Sequence, residues 1–239
     1  MTQVAIFQNR RERFQKHMPA DGVAIFFSAP VRIKSNDVHY RFRQDSDLFY
    51  LSGFEEEESV LVLEKEKALL YLRPKNPERE TWDGPRLGAD DAPATLGVSA
   101  AKPIEEFNKD LSDILENKSV LYYSYGRESA RDAQVLGRAD LVWRRSRRTD
   151  YGPAQIINPA TILHELRLIK SAPEEALLRE CARITHAGHM ELIRQPRPGM
   201  HEYELEAILA FEFRKEDAVE AYPSIVASGP NACVLHHIH

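Results

Sequence analysis

The residues best suited to chemistry in this sequence are histidines, and they are concentrated toward its carboxyl end. Seven of the nine histidines occur at or after His164, and His236, His237 and His239 fall within the last four positions. An imidazole titrates near neutral pH, so such a side chain can exchange a proton with a substrate or polarise it. The alternative interpretation is that these histidines are ordinary core or surface residues.

The spacing of these histidines does not predict a local metal site. In a strand, His236 and His237 point to opposite faces and cannot both reach one pocket. His164 and Glu165 begin like the HExxH zinc motif, but Leu168 occupies the position of its second histidine, so the motif fails.

No other short pattern predicts a reaction by itself. His186 and His189 lie three residues apart on a predicted helix and could contact one ion, yet they lie beside its apolar stripe, which favours an exposed position without a ligand. The patterns G-x-S-x-G, G-x-x-x-x-G-K-[ST] and G-x-G-x-x-G do not occur. The commonest serine hydrolase, P-loop and dinucleotide sites are therefore not predicted.

The elements that would position these residues alternate between strands and helices. Short runs rich in β-branched and aromatic residues predict strands at 23–28, 48–52, 59–64, 68–73 and 119–124. Apolar residues at helical spacing predict helices at 5–18 and 104–115, and the mixture predicts an α/β domain. The segment 151–159 contains glycine and prolines without a clear period and is predicted to be a linker. We therefore assign a first domain to 1–160 and a second to 161–239.

A long helix is predicted to open the second domain. Ser171 and Glu174 form the S-x-x-E pattern of a capping box, which marks a helix start. The apolar face of that helix consists of Leu177, Cys181, Ile184, Gly188 and Leu192. The small Gly188 would allow a neighbouring element to pack closely.

The remaining residues predict one more helix and two strands. The helix is expected at 201–216, and the strands at 224–227 and 232–238, separated by a Gly-Pro-Asn turn. Because the sequence stops in a predicted strand with neither turn nor cap, we expect it to be a fragment of a longer protein.

Composition favours a soluble globular protein that does not bind nucleic acid. Hydrophobic residues make up 43% of the 239 residues and charged residues 29%, with a net charge of -5. The short basic cluster WRRSRR, which includes Arg147, is interpreted as a helix end rather than a binding site. Cys181 and Cys233 form no CxxC pair, and we find neither a signal peptide nor a membrane-spanning run, so a cytoplasmic location is predicted.

Several longer segments, in matching order, resemble one enzyme family. YRFRQDSDLFYLSGFEEEESVLVL at 40–63 resembles the amino-terminal, creatinase-like α/β domain of aminopeptidase P, and ETWDGPRLG at 80–88 is similar to that family's W-x-G-x-R-L-G segment. HELRLIKS at 164–171 resembles the run that opens its catalytic domain, and RPGM follows at 197–200. IVASG at 225–229, with the residues from Asn231 to His236, resembles I-V-x-S-G-x-N-x-x-x-L-H.

The resemblance implies a metal-dependent Xaa-Pro aminopeptidase. In such an enzyme the creatinase-like domain precedes a pita-bread catalytic domain, of which 161–239 would be the first part. That domain holds two metal ions, commonly manganese, and removes the residue before a proline, so a peptide with proline at its second position is the implied substrate. The family's ligands, two Asp, one His and two Glu, follow the segment that matches His236, so no metal ligand is assigned here and this chain alone is expected to be inactive.

The resemblance also assigns roles to individual residues. His236 matches a histidine that contacts the substrate near the scissile carbonyl. Trp82 matches an aromatic residue that lines the pocket across a subunit contact, which implies a homo-oligomer, although an ordinary buried or interface anchor is the competing interpretation. Arg147 matches a basic pocket residue. Two other functions stay open: a noncatalytic oligomerisation module, and a prolidase-type dipeptidase, which the Trp82 segment disfavours.

Overall fold

The computed structural model describes residues 2–145 and 151–238. The chain divides into two compact units, Met1–Leu168 and Ile169–His239, called here the first and second units. The predicted domain division after residue 160 stays a prediction. In the described part of the chain, no helix has the length and apolar character that crossing a membrane would require.

The first unit contains seven helices and eight strands among its described residues. The helices are α1 Gln3–Lys16, α2 Ser46–Ser52, α3 Pro77–Asp83, α4 Gly88–Leu96, α5 Ile104–Leu115, α6 Ser129–Arg145 and α7 Ala160–Leu168. The strands are β1 Gly22–Phe27, β2 Ile33–Ser35, β3 Val38–His39, β4 Val60–Leu63, β5 Ala68–Leu72, β6 Ala100–Pro103, β7 Val120–Tyr123 and β8 Gln155–Ile157.

Six of these strands form a mixed sheet with helices on both faces, which confirms the α/β fold class. Its order is β6-β5-β4-β1-β7-β8; β1 is antiparallel to β4 and parallel to β7. Alternate residues of β1 point to opposite faces. Ala24 and Phe26 join a core with α1, α2, α4 and α7, whereas Val23 and Ile25 join a second core with α5 and α6. The strand is therefore apolar throughout.

The prediction of a strand at 48–52 is wrong, because that segment is helix α2. The Asp45 carboxylate caps the helix by accepting hydrogen bonds from the backbone N–H groups of Asp47 (2.9 Å) and Leu48 (3.1 Å). Gly53 closes it with a left-handed φ of 68°. A short apolar run fits either element, so the caps at both ends decide which forms.

The predicted linker at 151–159 contains β8, which pairs in parallel with β7 at the end of the sheet. Gly152, just before β8, lies close to α6: a Cβ atom there would lie 2.7 Å from the backbone nitrogen of Trp143. The prediction failed because only three residues pair, too few to produce a recognisable alternation.

The second unit is built on α8 Ala172–Arg194 and α9 Glu202–Arg214, followed by a 3-10 turn, Gly229–Cys233. The predicted capping box is confirmed, since Glu174 accepts a hydrogen bond of 2.8 Å from the Ser171 N–H. Close packing at Gly188 is also confirmed: a Cβ atom there would lie 2.7 Å from Leu209 Cδ1 on α9. Of the rest of the predicted apolar face, Ile184 is buried, Leu192 is partly buried, and Leu177 and Cys181 are exposed, so the amino-terminal part of that face was predicted wrongly.

The two strands predicted at 224–227 and 232–238 are wrong. This segment is irregular apart from the 3-10 turn, in which the N–H of Asn231 bonds to Ser228 O and the N–H of Val234 to Asn231 O. Strands need a backbone partner, and within the described residues the backbone N–H groups of this segment bond within the segment or to the side chain of Glu202 instead.

Candidate functional site

His236 lies in an exposed segment that follows the 3-10 turn of the second unit. Residues 229–236 are all exposed, whereas the side chain of the next residue, His237, is only 12% exposed. His237 Nε2 lies 3.1 Å from Glu202 Oε2 on α9. The segment therefore presents one histidine to solvent while its neighbour is held against the second unit.

The Glu202 carboxylate holds this segment at three positions. Its Oε1 accepts hydrogen bonds from the backbone N–H and, at 3.2 Å, from the hydroxyl of Ser228. Its Oε2 accepts one of 2.9 Å from the Asn231 side-chain amide and contacts His237. The Asn231 amide, followed by the Ser228 N–H, lowers the pKa of Glu202 to about 2. Glu202 therefore remains an anionic acceptor at neutral pH.

The start of α9 explains why a carboxylate suits this position. Glu202 is the first helical residue after the cap His201, where unpaired N–H groups give the helix end a partial positive charge. Glu204 completes the cap by accepting a hydrogen bond of 2.7 Å from the His201 N–H. The two acidic residues therefore have different partners: Glu204 caps the helix, and Glu202 binds the distant loop.

Trp82 lies on the short helix α3 of the first unit, and its side chain is 84% exposed. Asn76 caps the helix, since its side chain accepts a hydrogen bond of 3.1 Å from the Arg79 N–H, and the helix buries none of its residues. Trp82 is therefore not a core residue of the first unit. This removes the buried-anchor interpretation and leaves the choice between an interface anchor and a pocket-lining residue open.

The chain directly after α3 is anchored, although Trp82 is not. The Leu87 N–H donates a hydrogen bond of 2.8 Å to Glu56 Oε1, and Arg86 Nη1 donates one of 3.3 Å to Pro74 O. Arg73 lies 3.6 Å from Glu56 Oε2. In the W-x-G-x-R-L-G segment the aromatic residue is exposed, while the residues that follow α3 are held in place by hydrogen bonds.

A pocket of about 460 Å³ lies at the carboxyl ends of β1 and β7 in the first unit. One wall is Arg131, which donates a hydrogen bond of 2.7 Å to Ser28 O and lies 4.9 Å from the centre of the Phe27 ring. Another is Arg127, 3.2 Å from Asp45. Both arginines already contact other groups of the pocket wall. Neither Trp82 nor His236 lines the pocket.

The structure does not test the other predictions about the site. Arg147 lies outside the described residues. Trp82 belongs to the first unit and His236 to the second. Among the residues that the structure describes, no three His, Cys, Asp or Glu side chains are grouped so as to hold a metal ion. These residues therefore do not fit a metal centre by themselves.

Comparison with known proteins decides the family. The model of the aminopeptidase P N-terminal domain matches residues 7–122, and that of metallopeptidase family M24 matches 176–239. The Xaa-Pro aminopeptidases of Escherichia coli and Haemophilus influenzae are each 37% identical to this chain, over 97% of its length. The chain belongs to the aminopeptidase P family. A solved structure, zinc-substituted E. coli aminopeptidase P in complex with product, covers 99% of the chain at 35% identity with a TM-score of 0.94.

The match to aminopeptidase P covers only part of the length of these relatives. The chain spans about half of the curated relatives it matches, 54% of the E. coli protein and 52% of the H. influenzae protein. The predicted family and the α/β architecture are confirmed over that part. The roles of His236, Trp82 and Arg147 stay predictions.

Sequence reasoning did not predict the contacts between Glu202 and the segment that carries His236. The sequence assigned it only to the favourable amino-terminal end of a helix. Its contacts lie 26 to 35 residues away, beyond the reach of any local pattern. The one available signal was Asn231, a polar residue of the resemblance motif whose partner the sequence does not identify.

Proposed function

We propose that the protein containing this chain is a metal-dependent aminopeptidase that removes the amino-terminal residue preceding a proline. The observation that carries the proposal is identity of 37% along nearly the whole chain to two proteins named Xaa-Pro aminopeptidase. The two matching family models cover both the Trp82 segment, within residues 7–122, and the His236 segment, within residues 176–239.

We propose three roles for residues of this chain. His236 contacts the substrate near the scissile carbonyl, which its exposed position on an anchored segment supports. Trp82 lines the pocket of a neighbouring subunit in a homo-oligomer, which its 84% exposure supports. Arg147 is a basic residue of the pocket.

The metal ions belong to the proposal as well. A divalent metal, manganese in the first instance, would supply the Lewis acid and the nucleophilic hydroxide of peptide hydrolysis. The described residues supply no donor set for it. We therefore propose that this chain contributes substrate contacts and that the 239 residues alone do not hydrolyse peptides.

A reducing cytoplasm is the proposed location. Cys181 and Cys233 are both exposed and free, which fits a compartment where thiols stay reduced. The noncatalytic alternative, an oligomerisation module, applies to this chain in isolation and draws on the same exposed tryptophan.

The deciding experiment compares substrates on the protein expressed from the complete reading frame. With added Mn²⁺ we expect cleavage of Ala-Pro-Ala, none of Ala-Ala-Ala, and loss of activity with a chelator. Preference for the dipeptide Ala-Pro over Ala-Pro-Ala would indicate a prolidase instead. Absence of activity on both proline peptides would overturn the proposal, and activity of the 239-residue chain would overturn the assignment of the metal site elsewhere.

A further inference from the structure

We propose that Glu202 is a positioning residue for His236: its carboxylate fixes the segment 228–237, and thereby the place of the exposed imidazole. This inference rests on the proposed function, because positioning matters only if His236 contacts a substrate. It assigns to Glu202 a role in activity that its place at the start of a helix does not suggest.

The geometry of the contacts carries the proposal. Ser228, Asn231 and His237 each contact the one carboxylate, and they lie before, within and after the 3-10 turn. Three separate attachment points fix the orientation of a segment as well as its distance, which a single hydrogen bond cannot do. The position of His236 is fixed by the same contacts, because the next residue, His237, is one of the attachment points.

Within the described residues of this chain, the segment has few other contacts. Residues 229–236 are exposed there, so packing against the rest of this chain contributes little to their order. In the described part of the chain, the hydrogen bonds that residues 228–236 make outside their own segment all end on Glu202. Removing the carboxylate should therefore release the turn while leaving the packing of α8 against α9 in place.

The chemistry of a carboxylate suits this position, because Ser228 and Asn231 both donate hydrogens to it. An ionised carboxylate only accepts, and it has room for four bonds. Glu202→Gln keeps one acceptor oxygen for Ser228 but turns an amide donor toward the amide of Asn231. Glu202→Asp keeps the charge and shortens the reach by one methylene. Glu202→Ala removes all four contacts.

Glu206 provides a matched control on the same helix. It lies one turn after Glu202, is exposed, and makes no hydrogen bond or ion pair with another described residue. Glu206→Ala removes the same charge from α9 without touching the loop. Comparison of the two alanine variants separates the loop contacts from the general effect of a carboxylate on the helix.

The first measurement is hydrogen exchange of the complete protein, followed by mass spectrometry of peptides that contain 228–237. We expect exchange in these peptides to be at least about tenfold faster in Glu202→Ala than in the unaltered protein, since their anchored N–H groups open locally. Glu206→Ala should leave it unchanged, and peptides from α8 should not respond to either substitution. Unchanged exchange at 228–237 in Glu202→Ala would overturn the proposal.

The second measurement is steady-state hydrolysis of Ala-Pro-Ala by the same proteins. Misplacement of a substrate-contacting group lowers kcat, so we expect a fall of about 10- to 100-fold in Glu202→Ala, with KM changed less than about threefold. The kcat of Glu202→Gln should lie between those of the unaltered protein and of Glu202→Ala. Asn231→Ala should show a smaller loss, and the Glu202→Gln/Asn231→Ala double variant should lose less than the product of the two, because both act through one contact.

The outcomes separate this proposal from the proposed function. An unaltered protein that does not cleave the peptide would overturn both. An active protein whose kcat survives Glu202→Ala would overturn the positioning role alone. A loss of kcat without faster exchange at 228–237 would also contradict it, since the loss would then arise elsewhere.

Discussion

The Asp47 carboxylate lies 3.1 Å from the guanidinium of Arg167, although 120 residues separate them. The Arg167 guanidinium also lies 5.4 Å from the centre of the Tyr50 ring, and the Tyr50 hydroxyl donates a hydrogen bond of 3.4 Å to Leu166 O. Two segments that resemble aminopeptidase P in sequence, 40–63 and 164–171, thus meet where α2 packs near α7. The start of the second segment belongs to the first unit.

Asp47 should make the stability of the first unit depend on pH. Burial, and next the repulsion from Asp45, raise the pKa of Asp47, and they outweigh the attraction of Arg127 and Arg167. A raised pKa means that the folded state binds the proton more tightly, so this contribution to stability is present at low pH and lost as the pH rises through the raised pKa. We expect the free energy of unfolding, relative to Asp47→Asn, to fall from about pH 4 upward.

Urea unfolding of the two proteins between pH 3.5 and 7 measures this difference, and the other titrating groups cancel in it. If the relative stability rose with pH instead, the ion pair with Arg167 would dominate over burial.

Arg11 should be among the most sensitive positions of the first unit. It is 2% exposed, and its guanidinium donates to the carbonyls of Leu51 (2.9 Å), Leu96 (3.1 Å) and Gly97 (2.5 Å) at the carboxyl ends of α2 and α4. Desolvation lowers its pKa to about 10, so it stays charged at neutral pH. Arg11→Met keeps the apolar stem but removes the donor from one buried and two partly buried hydrogen bonds, which should cost about 3 kcal/mol.

A thermal or urea melt of Arg11→Met tests this expectation, with Arg13→Met as the control. Arg13 lies on the same helix, is partly exposed, and makes no hydrogen bond or ion pair with any described residue. Its replacement should change the free energy of unfolding by less than about 0.5 kcal/mol. Equal effects of the two substitutions would show that the carbonyl contacts do not matter.

The fold was predictable where a short stretch of sequence determines its own structure. Four of the five strands predicted in the first unit exist, because β-branched and aromatic runs fit a buried sheet. The capping box located the start of α8 to the residue. Prediction failed at 48–52, at β8 and at 224–238, where the outcome depends on caps or on partners distant in sequence.

The site was predictable only in part for the same reason. The resemblance assigned roles to His236 and Trp82 from their places in motifs, and those roles stay predictions. It assigned none to Glu202, whose contacts appear only when the loop folds back onto α9. The sequence also could not predict whether Trp82 is exposed, because a tryptophan near glycine and proline could be buried or exposed. The structure shows Trp82 to be exposed.

Two glycines in helices should respond in opposite ways to alanine. Apart from its chain neighbours and the backbone of α6 itself, no atom of the described residues lies within 4 Å of the position of a Cβ at Gly137 on α6, so Gly137→Ala should stabilise the helix by about 0.5–1 kcal/mol. At Gly188 on α8 the added atom would lie 2.7 Å from Leu209 Cδ1 and 3.3 Å from Phe213 Cε1. There we expect overpacking to cancel the gain or exceed it.

Melting temperatures of the two variants give the comparison directly. An increase with Gly188→Ala as large as that with Gly137→Ala would mean that α9 moves aside at no cost. In that case the close approach of the two helices would not be what requires a glycine.

Trp82→Ala should separate function from stability. The side chain is 84% exposed and α3 buries no residue, so its loss should leave the melting temperature of the protein unchanged within about 1 °C. If the ring lines a neighbouring subunit's pocket, kcat/KM on Ala-Pro-Ala should fall about tenfold, or about 1.4 kcal/mol of transition-state stabilisation.

Trp143, the other tryptophan of the chain, is the control because its side chain is also exposed, at 51%. Trp143→Ala should leave kcat/KM unchanged, since no role in substrate binding is assigned to it. Equal losses of activity in both variants would point to a general effect of removing surface tryptophans. A melting temperature lowered by several degrees in Trp82→Ala would instead show that Trp82 packs against a partner for stability, which is the interface-anchor interpretation.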